Sequence, residues 1–265
     1  MIESLHSPHI ARVKALISSK GAKERRESAR YVAEGAQFVR EAIKAKAIDQ
    51  IDVLYLTANG RARLENDKID LSKFKCEDVT DPVMKAMSET ISPQGILAIC
   101  KIPNPNLENL KLSGQSILLY LHEIQDPGNA GTILRSADAL GATAVITSPG
   151  SVDMYSPKVV RSTAGSHWHL PIFERISLEL LQDAIPKLNF ATLSADGKKS
   201  IRDYQVTGNT VLIFGNEARG LADLKLPTSA DALSISMAGN AESLNLSAAA
   251  SIVLYELTAK IADDK

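Results

Sequence analysis

Apolar residues along the chain follow two rhythms, and the switches between them mark out its elements. After Ser7-Pro8, a capping hydroxyl with proline at the first helical position, Ile10, Val13, Leu16 and Ile17 recur at helical spacing and predict a helix. Residues 31–34 read as a short strand closed by Gly35, and 36–46 as a helix. Strands follow at 51–56, 76–79 and 95–101, with a helical piece at 82–87. Residues 103–112 are rich in proline and asparagine and lack a period, as in a linker. Beyond them apolar runs at 116–121, 144–146, 170–173, 190–193, 210–214 and 233–235 alternate with helical stretches at 131–140, 157–163, 178–187 and 246–259. Such alternation predicts a parallel sheet covered by helices. The expectation is α/β throughout, with a small domain over 1–102 and a larger one over 113–265.

Composition narrows the class. At 45% apolar and 23% charged residues the chain resembles an ordinary globular protein, and no apolar run approaches the roughly 18 residues of a membrane span. The first residues lack a secretory pattern, and Cys76 and Cys100 fit neither a disulfide framework nor a metal site. A cytoplasmic protein without metal is expected. Net charge is −1, but residues 1–48 carry ten Lys and Arg against five acids, +5, which leaves −6 for the rest. That asymmetry makes Arg12, Lys14, Lys23, Arg25, Arg26 and Arg30, with Arg161 farther on, candidates for RNA phosphate contact. A solvated basic loop over 18–30 is the competing reading. Only Tyr31 and Phe38 offer aromatic faces in this part, so phosphate and shape recognition is favoured over base stacking.

Three stretches carry candidate chemistry. Asp126-Pro127-Gly128-Asn129 opens as a turn between a strand and a helix, and brings the Asn129 amide together with the Arg135 guanidinium. The strand 211–214 runs into Gly215-Asn216-Glu217-Ala218-Arg219-Gly220, which has the outer spacing of a phosphate loop; Leu221-Ala222 stand where Lys and Ser or Thr are required, which excludes that class. No strand is followed by Gly-x-Gly-x-x-Gly, so a conventional dinucleotide site is absent. The third stretch, 233–254, joins a strand to a helix through small residues. Its Ala- and Ser-rich helical face, 247–251, suits a close helix crossing or a subunit interface.

Taken in order, the three stretches resemble the motifs of the SpoU branch of the SPOUT methyltransferases, enzymes that methylate ribose 2'-hydroxyls of RNA. The first motif is matched by Asn129 and Arg135, the second by 214–221, and the third by 235–237 with 242–247. Residues 1–102 resemble the L30e-like substrate-binding domain often found ahead of that catalytic domain, with Val32-Ala33-Glu34-Gly35 as the shared core. The resemblance implies a trefoil-knotted sheet, S-adenosyl-L-methionine as cofactor and a homodimer. It implies a catalytic set of Asn129, Arg135, Glu217 and Asn245. Cofactor contacts are implied at Gly215, Ile235 and Leu244, with Leu193, Asn216, Met237 and Ser243 beside them. Ribosomal RNA of the large subunit is favoured as substrate over transfer RNA, and an inactive RNA-binding or ribosome-assembly factor remains an alternative. Ala218, Arg219 and Ser236 depart from the usual pattern, which raises the expectation of a differently shaped cofactor loop.

Overall fold

The computed structural model describes residues 1–194 and 196–263. Two compact units make up the chain: Met1–Pro103 with Asp153–His169, and Asn104–Val152 with Leu170–Lys265. The sequence reading, which keeps 113–265 together, does not anticipate that Asp153–His169 packs into the first unit.

In the first unit, α1 (Pro8–Ile17) is capped by Ser7, whose hydroxyl accepts the His9 amide, and it buries Ile10, Val13, Leu16 and Ile17. Within the basic stretch 18–30, whose competing reading is a solvated loop, the structure forms α2 (Ala22–Ser28), ended by Ala29 in the left-handed conformation. Next come β1 (Arg30–Glu34), α3 (Ala36–Lys44), β2 (Ile51–Leu56), α4 (Ala58–Asn66), β3 (Cys76–Asp78), α5 (Asp81–Met87) and β4 (Ile96–Lys101). The sheet order is β1-β4-β2-β3, antiparallel except for the β2/β3 pair. α4 has no expected counterpart, because only Gly60 and Leu64 along it are buried; the Thr57 hydroxyl starts it by accepting the Gly60 amide.

The segment inserted from farther along the chain closes this unit. The residues just before its helix α7 (Pro157–Thr163) deliver Tyr155, and the turn after the helix delivers His167 and Trp168, to Tyr31 and Phe38. Ring centroids of Tyr31 lie 5.0 Å from Tyr155 and 5.9 Å from His167, and the Trp168 indole donates to the Phe38 carbonyl at 3.1 Å. Asp153 receives Nε and Nη2 of Arg25, both at 2.8 Å, while Nη1 donates to the Leu16 carbonyl.

The second unit holds β5 (Ile117–Leu121), α6 (Pro127–Ala139), β6 (Ala144–Thr147), β7 (Ile172–Phe173), α8 (Leu178–Ala184), β8 (Asn189–Leu193), β9 (Lys199–Ser200), β10 (Thr210–Phe214), β11 (Asp231–Ser234) and α9 (Leu246–Asp263). Its sheet is parallel, in the order β7-β6-β5-β10-β8-β11-β9. β5 and β10 are buried at every position, as expected of strands covered on both faces. Their polar ends, not their faces, are therefore where chemistry can be placed. Among the described residues no helix is long and apolar enough to cross a membrane.

Burial pushes the His167 imidazole down to about 4, against the upward pull of the Met154 carbonyl, 2.8 Å from Nε2, and of Asp153. The unfolded chain takes up this proton first, near pH 6.5, so stability present above that pH is lost as pH falls towards 4, by about 3 kcal/mol. Urea midpoints measured from pH 7 to pH 4.5 should fall more steeply for the parent than for His167→Gln; parallel curves would contradict the assignment.

Candidate active site

Four segments of the second unit converge where β5, β8, β10 and β11 end. Gly215 follows β10 and starts a loop that doubles back, with Asn216 and Gly220 exchanging amide-to-carbonyl bonds of 2.9 and 2.8 Å. A Cβ on Gly215 would lie 2.4 Å from the Gly220 carbonyl carbon, so only glycine permits this closure. The Asn216 side chain fixes the loop from both sides: Oδ1 accepts the amides of Ala218 (2.9 Å) and Arg219 (3.0 Å), and Nδ2 donates to the Glu123 carbonyl at 2.8 Å.

Asn129 lies in the first turn of α6, not in the loop that Asp-Pro-Gly-Asn suggests. Asp126 is the reason: its carboxylate accepts the Asn129 amide at 2.7 Å, and Pro127 occupies the first helical position. Glu217 reaches across to the same helix start. Its two oxygens accept the amides of Gln125 and Asp126 and the Asn129 side chain, each at 3.2 Å. Asn129 Oδ1 then accepts from Asn245 Nδ2 at 3.0 Å, and Asn245 Oδ1 caps α9 through the Ser247 amide at 2.9 Å. Asn129, Glu217 and Asn245 are thus one connected network.

That network borders a cavity of about 740 Å³. The candidate cofactor residues Leu193, Gly215, Asn216, Ile235, Met237, Ser243 and Leu244 all line it. So do Asp126 and Glu242, which the sequence reading did not select, although both lie in or beside its motif stretches. Arg135 does not: it is exposed on α6 and stands off the cavity wall.

Residues 116–255 match the SpoU rRNA methylase family, and residues 10–98 match the MRM3-like substrate binding domain. The first of these spans more than half of the chain. The chain belongs to the SpoU rRNA methylase family. A family relative, the 23S rRNA (guanosine(2553)-2'-O)-methyltransferase RlmP of Bacillus subtilis, is 32% identical over 238 residues, 89% of this chain and 91% of the relative. Two solved structures share the fold over nearly the whole length. The SpoU methyltransferase AviRb from Streptomyces viridochromogenes has a TM-score of 0.81 and 25% identity over 97% of this chain and 99% of that one. An AdoMet-bound rRNA methyltransferase from Sinorhizobium meliloti has a TM-score of 0.80 and 26% identity over 96% and 95%.

In this SpoU methylase the departures Ala218, Arg219 and Ser236 stay off the cavity wall. Arg219 pairs with Glu123 and, at 3.0 Å, with Asp223, and so fastens the outside of the loop. The candidate RNA cations of the first unit are less available than their number suggests. Arg25 is a correction: its guanidinium is enclosed and spent on Asp153 and the Leu16 carbonyl, so it faces no phosphate. Arg12 and Arg30 share Asp52, Lys23 pairs with Glu27 at 3.7 Å, and Arg161 lies 3.7 Å from Glu89. Lys14 and Arg26 are exposed without an ion pair among the described residues.

Removing the Glu217 carboxylate leaves the amides of Gln125 and Asp126, just ahead of α6, without their acceptor. Glu217→Ala should lower stability by about 1 kcal/mol, the scale of a lost hydrogen bond, and Glu217→Gln by less. Thermal denaturation of both variants checks this, and an unchanged melting temperature for Glu217→Ala would contradict it.

Proposed function

We propose that this chain is an S-adenosylmethionine-dependent methyltransferase that acts on a ribose 2'-hydroxyl of ribosomal RNA, of the large subunit in preference to transfer RNA. The cavity at the strand ends carries the reading. Its volume falls in the range of roughly 300–1,000 Å³ typical of small-molecule sites. Asp126, Glu217 and Glu242 line it and, among the described residues, no Lys or Arg does, a charge balance that suits a cationic ligand. The 23S rRNA named for the Bacillus subtilis relative supports the substrate class.

When bound, S-adenosylmethionine supplies an electrophilic methyl group on a positively charged sulfur. Leu193, Ile235, Met237 and Leu244 provide apolar walls for its adenine, while Gly215, Asn216 and Ser243 let main chain approach it. Asn129, held between Glu217 and Asn245, orients the ribose. The Arg135 guanidinium carries only donors, so it can hold a phosphate but has no lone pair to take up a proton. Its role is positional: the guanidinium fork grips an RNA phosphate and sets the hydroxyl in line for transfer, and such positioning can contribute several kcal/mol.

The remaining features belong to the same reading. The first unit binds the RNA. A homodimer would use the outer face of α9, where Ile252 and Tyr255 are exposed, because part of the small-residue face is already taken inside the chain: Ala250 is buried and Ser251 bonds Ser136 of α6 at 2.8 Å. The insertion of β10 between β5 and β8 supports a knotted threading of the sheet. A cytoplasmic location fits the free thiols of Cys76 and Cys100.

Tritium transfer from labelled S-adenosylmethionine to ribosomal RNA, with mapping of the new 2'-O-methyl group, tests the reading; an inactive RNA-binding factor would incorporate nothing. Arg135→Ala should reduce single-turnover methylation by at least about 100-fold while cofactor affinity stays near that of the parent. Arg135→Lys should recover little, because a point charge lacks the fork. Near-normal rates in both variants would remove Arg135 from the mechanism.

A further inference from the structure

With Arg25 enclosed and Arg12 and Arg30 sharing Asp52, the basic segment 12–30 offers fewer open cations than its count suggests. Another face of the same unit is better built. β1 ends at Glu34, Gly35 turns the chain at φ +97°, and the loop 88–95 comes over that turn, with Gln94 Oε1 only 3.2 Å from where a Gly35 Cβ would stand. Together with α7 they enclose a recess of about 280 Å³, walled by Glu34, Gln37, Thr90, Gln94 and Arg161.

The chemistry of its walls is specific. Glu34 Oε2 accepts the hydroxyls of Ser88 (2.6 Å) and Thr90 (3.2 Å), which pins the carboxylate and leaves Oε1 as an acceptor. Gln94 Oε1 accepts from Arg63 at 3.1 Å, which leaves its NH₂ group as a donor. An acceptor and a donor lining one recess suit the edge of a nucleobase. Two exposed cations flank the recess. Arg63 has no ion pair among the described residues, and Arg161 has only the 3.7 Å approach of Glu89. At the loop tip, between Thr90 and Ser92, Ile91 is 95% exposed, an apolar side chain that the protein itself does not cover. A recess of this volume admits a single nucleoside and excludes a duplex.

We propose that this recess takes one unpaired nucleotide of the RNA substrate, with the base edge on Glu34 and Gln94, the adjoining nucleotide outside the recess against Ile91, and the flanking phosphates on Arg161 and Arg63. The proposal rests on the RNA methyltransferase reading and locates where the first unit grips that RNA. A base that presents an amino or imino hydrogen satisfies Glu34.

The test uses the full chain and in-vitro transcribed large-subunit ribosomal RNA. The parent is first assayed for tritium incorporation, and no incorporation would overturn the methyltransferase reading by itself. RNA binding is then measured by filter retention across a salt series, which judges the recess independently of catalysis. Ile91→Ser with Arg161→Ala should weaken binding by about ten-fold, and each arginine lost, Arg63→Ala included, should reduce the salt-dependence slope by about one. S-adenosylmethionine affinity and melting temperature should stay at parental values, since these side chains are exposed. Lys14→Ala with Arg26→Ala should cost less affinity than the loop variant. The proposal is overturned if the Ile91/Arg161 variant binds within about two-fold of the parent, or if the Lys14/Arg26 variant loses more.

Discussion

One carboxylate ties the catalytic unit together. Glu217, two residues beyond the glycine that ends β10, accepts the amides of Gln125 and Asp126 and the side chain of Asn129. Those amides lie just ahead of the helix, whose own cap is Asp126, so the carboxylate fixes where the first turn of α6 stands against the strand ends. The effect passes outward: Asn129 holds Asn245, and Asn245 caps α9. Three elements far apart in sequence thereby share one polar seam. In a parallel sheet buried on both faces, such a seam can form only at the strand ends, which is also where the cavity lies.

Much of this was legible in the sequence because polar residues interrupt otherwise apolar runs only where the chain must leave the sheet. The strand 210–214 has the bounds read from its apolar run, and the residues picked around Gly215, Ile235 and Leu244 line one cavity because each sits at such an interruption. Ambiguity entered where one motif serves two structures. Asp-Pro-Gly-Asn is a good turn and an equally good helix start, and only the Asp126 bond to the Asn129 amide decides between them. Arg135, six residues after Asn129, stands about 120° around the helix from it, so membership of one motif did not place it on the cavity wall.

The first unit shows what local pattern cannot supply. Nothing near Arg25 announces that its partner is Asp153, 128 residues farther on, and a charge count treats that enclosed arginine like the exposed Arg26 beside it. In α9, alanine and serine were equally consistent with a contact between chains or within one, and the Ser136–Ser251 bond shows the second use. Small residues state that something approaches closely without saying what.

The borrowed segment Asp153–His169 also sets an order of events during synthesis. Chains emerge from the ribosome amino end first, and domains generally fold as units when complete. Here the first unit is not complete when its first 103 residues have emerged: Tyr31 and Phe38 lack Tyr155, His167 and Trp168, and Arg25 carries a charge without its counter-ion. By the time Trp168 arrives, β5, α6 and β6 of the second unit have already been made. The two units therefore mature as interleaved steps of one translation event, with the earlier one waiting on the later.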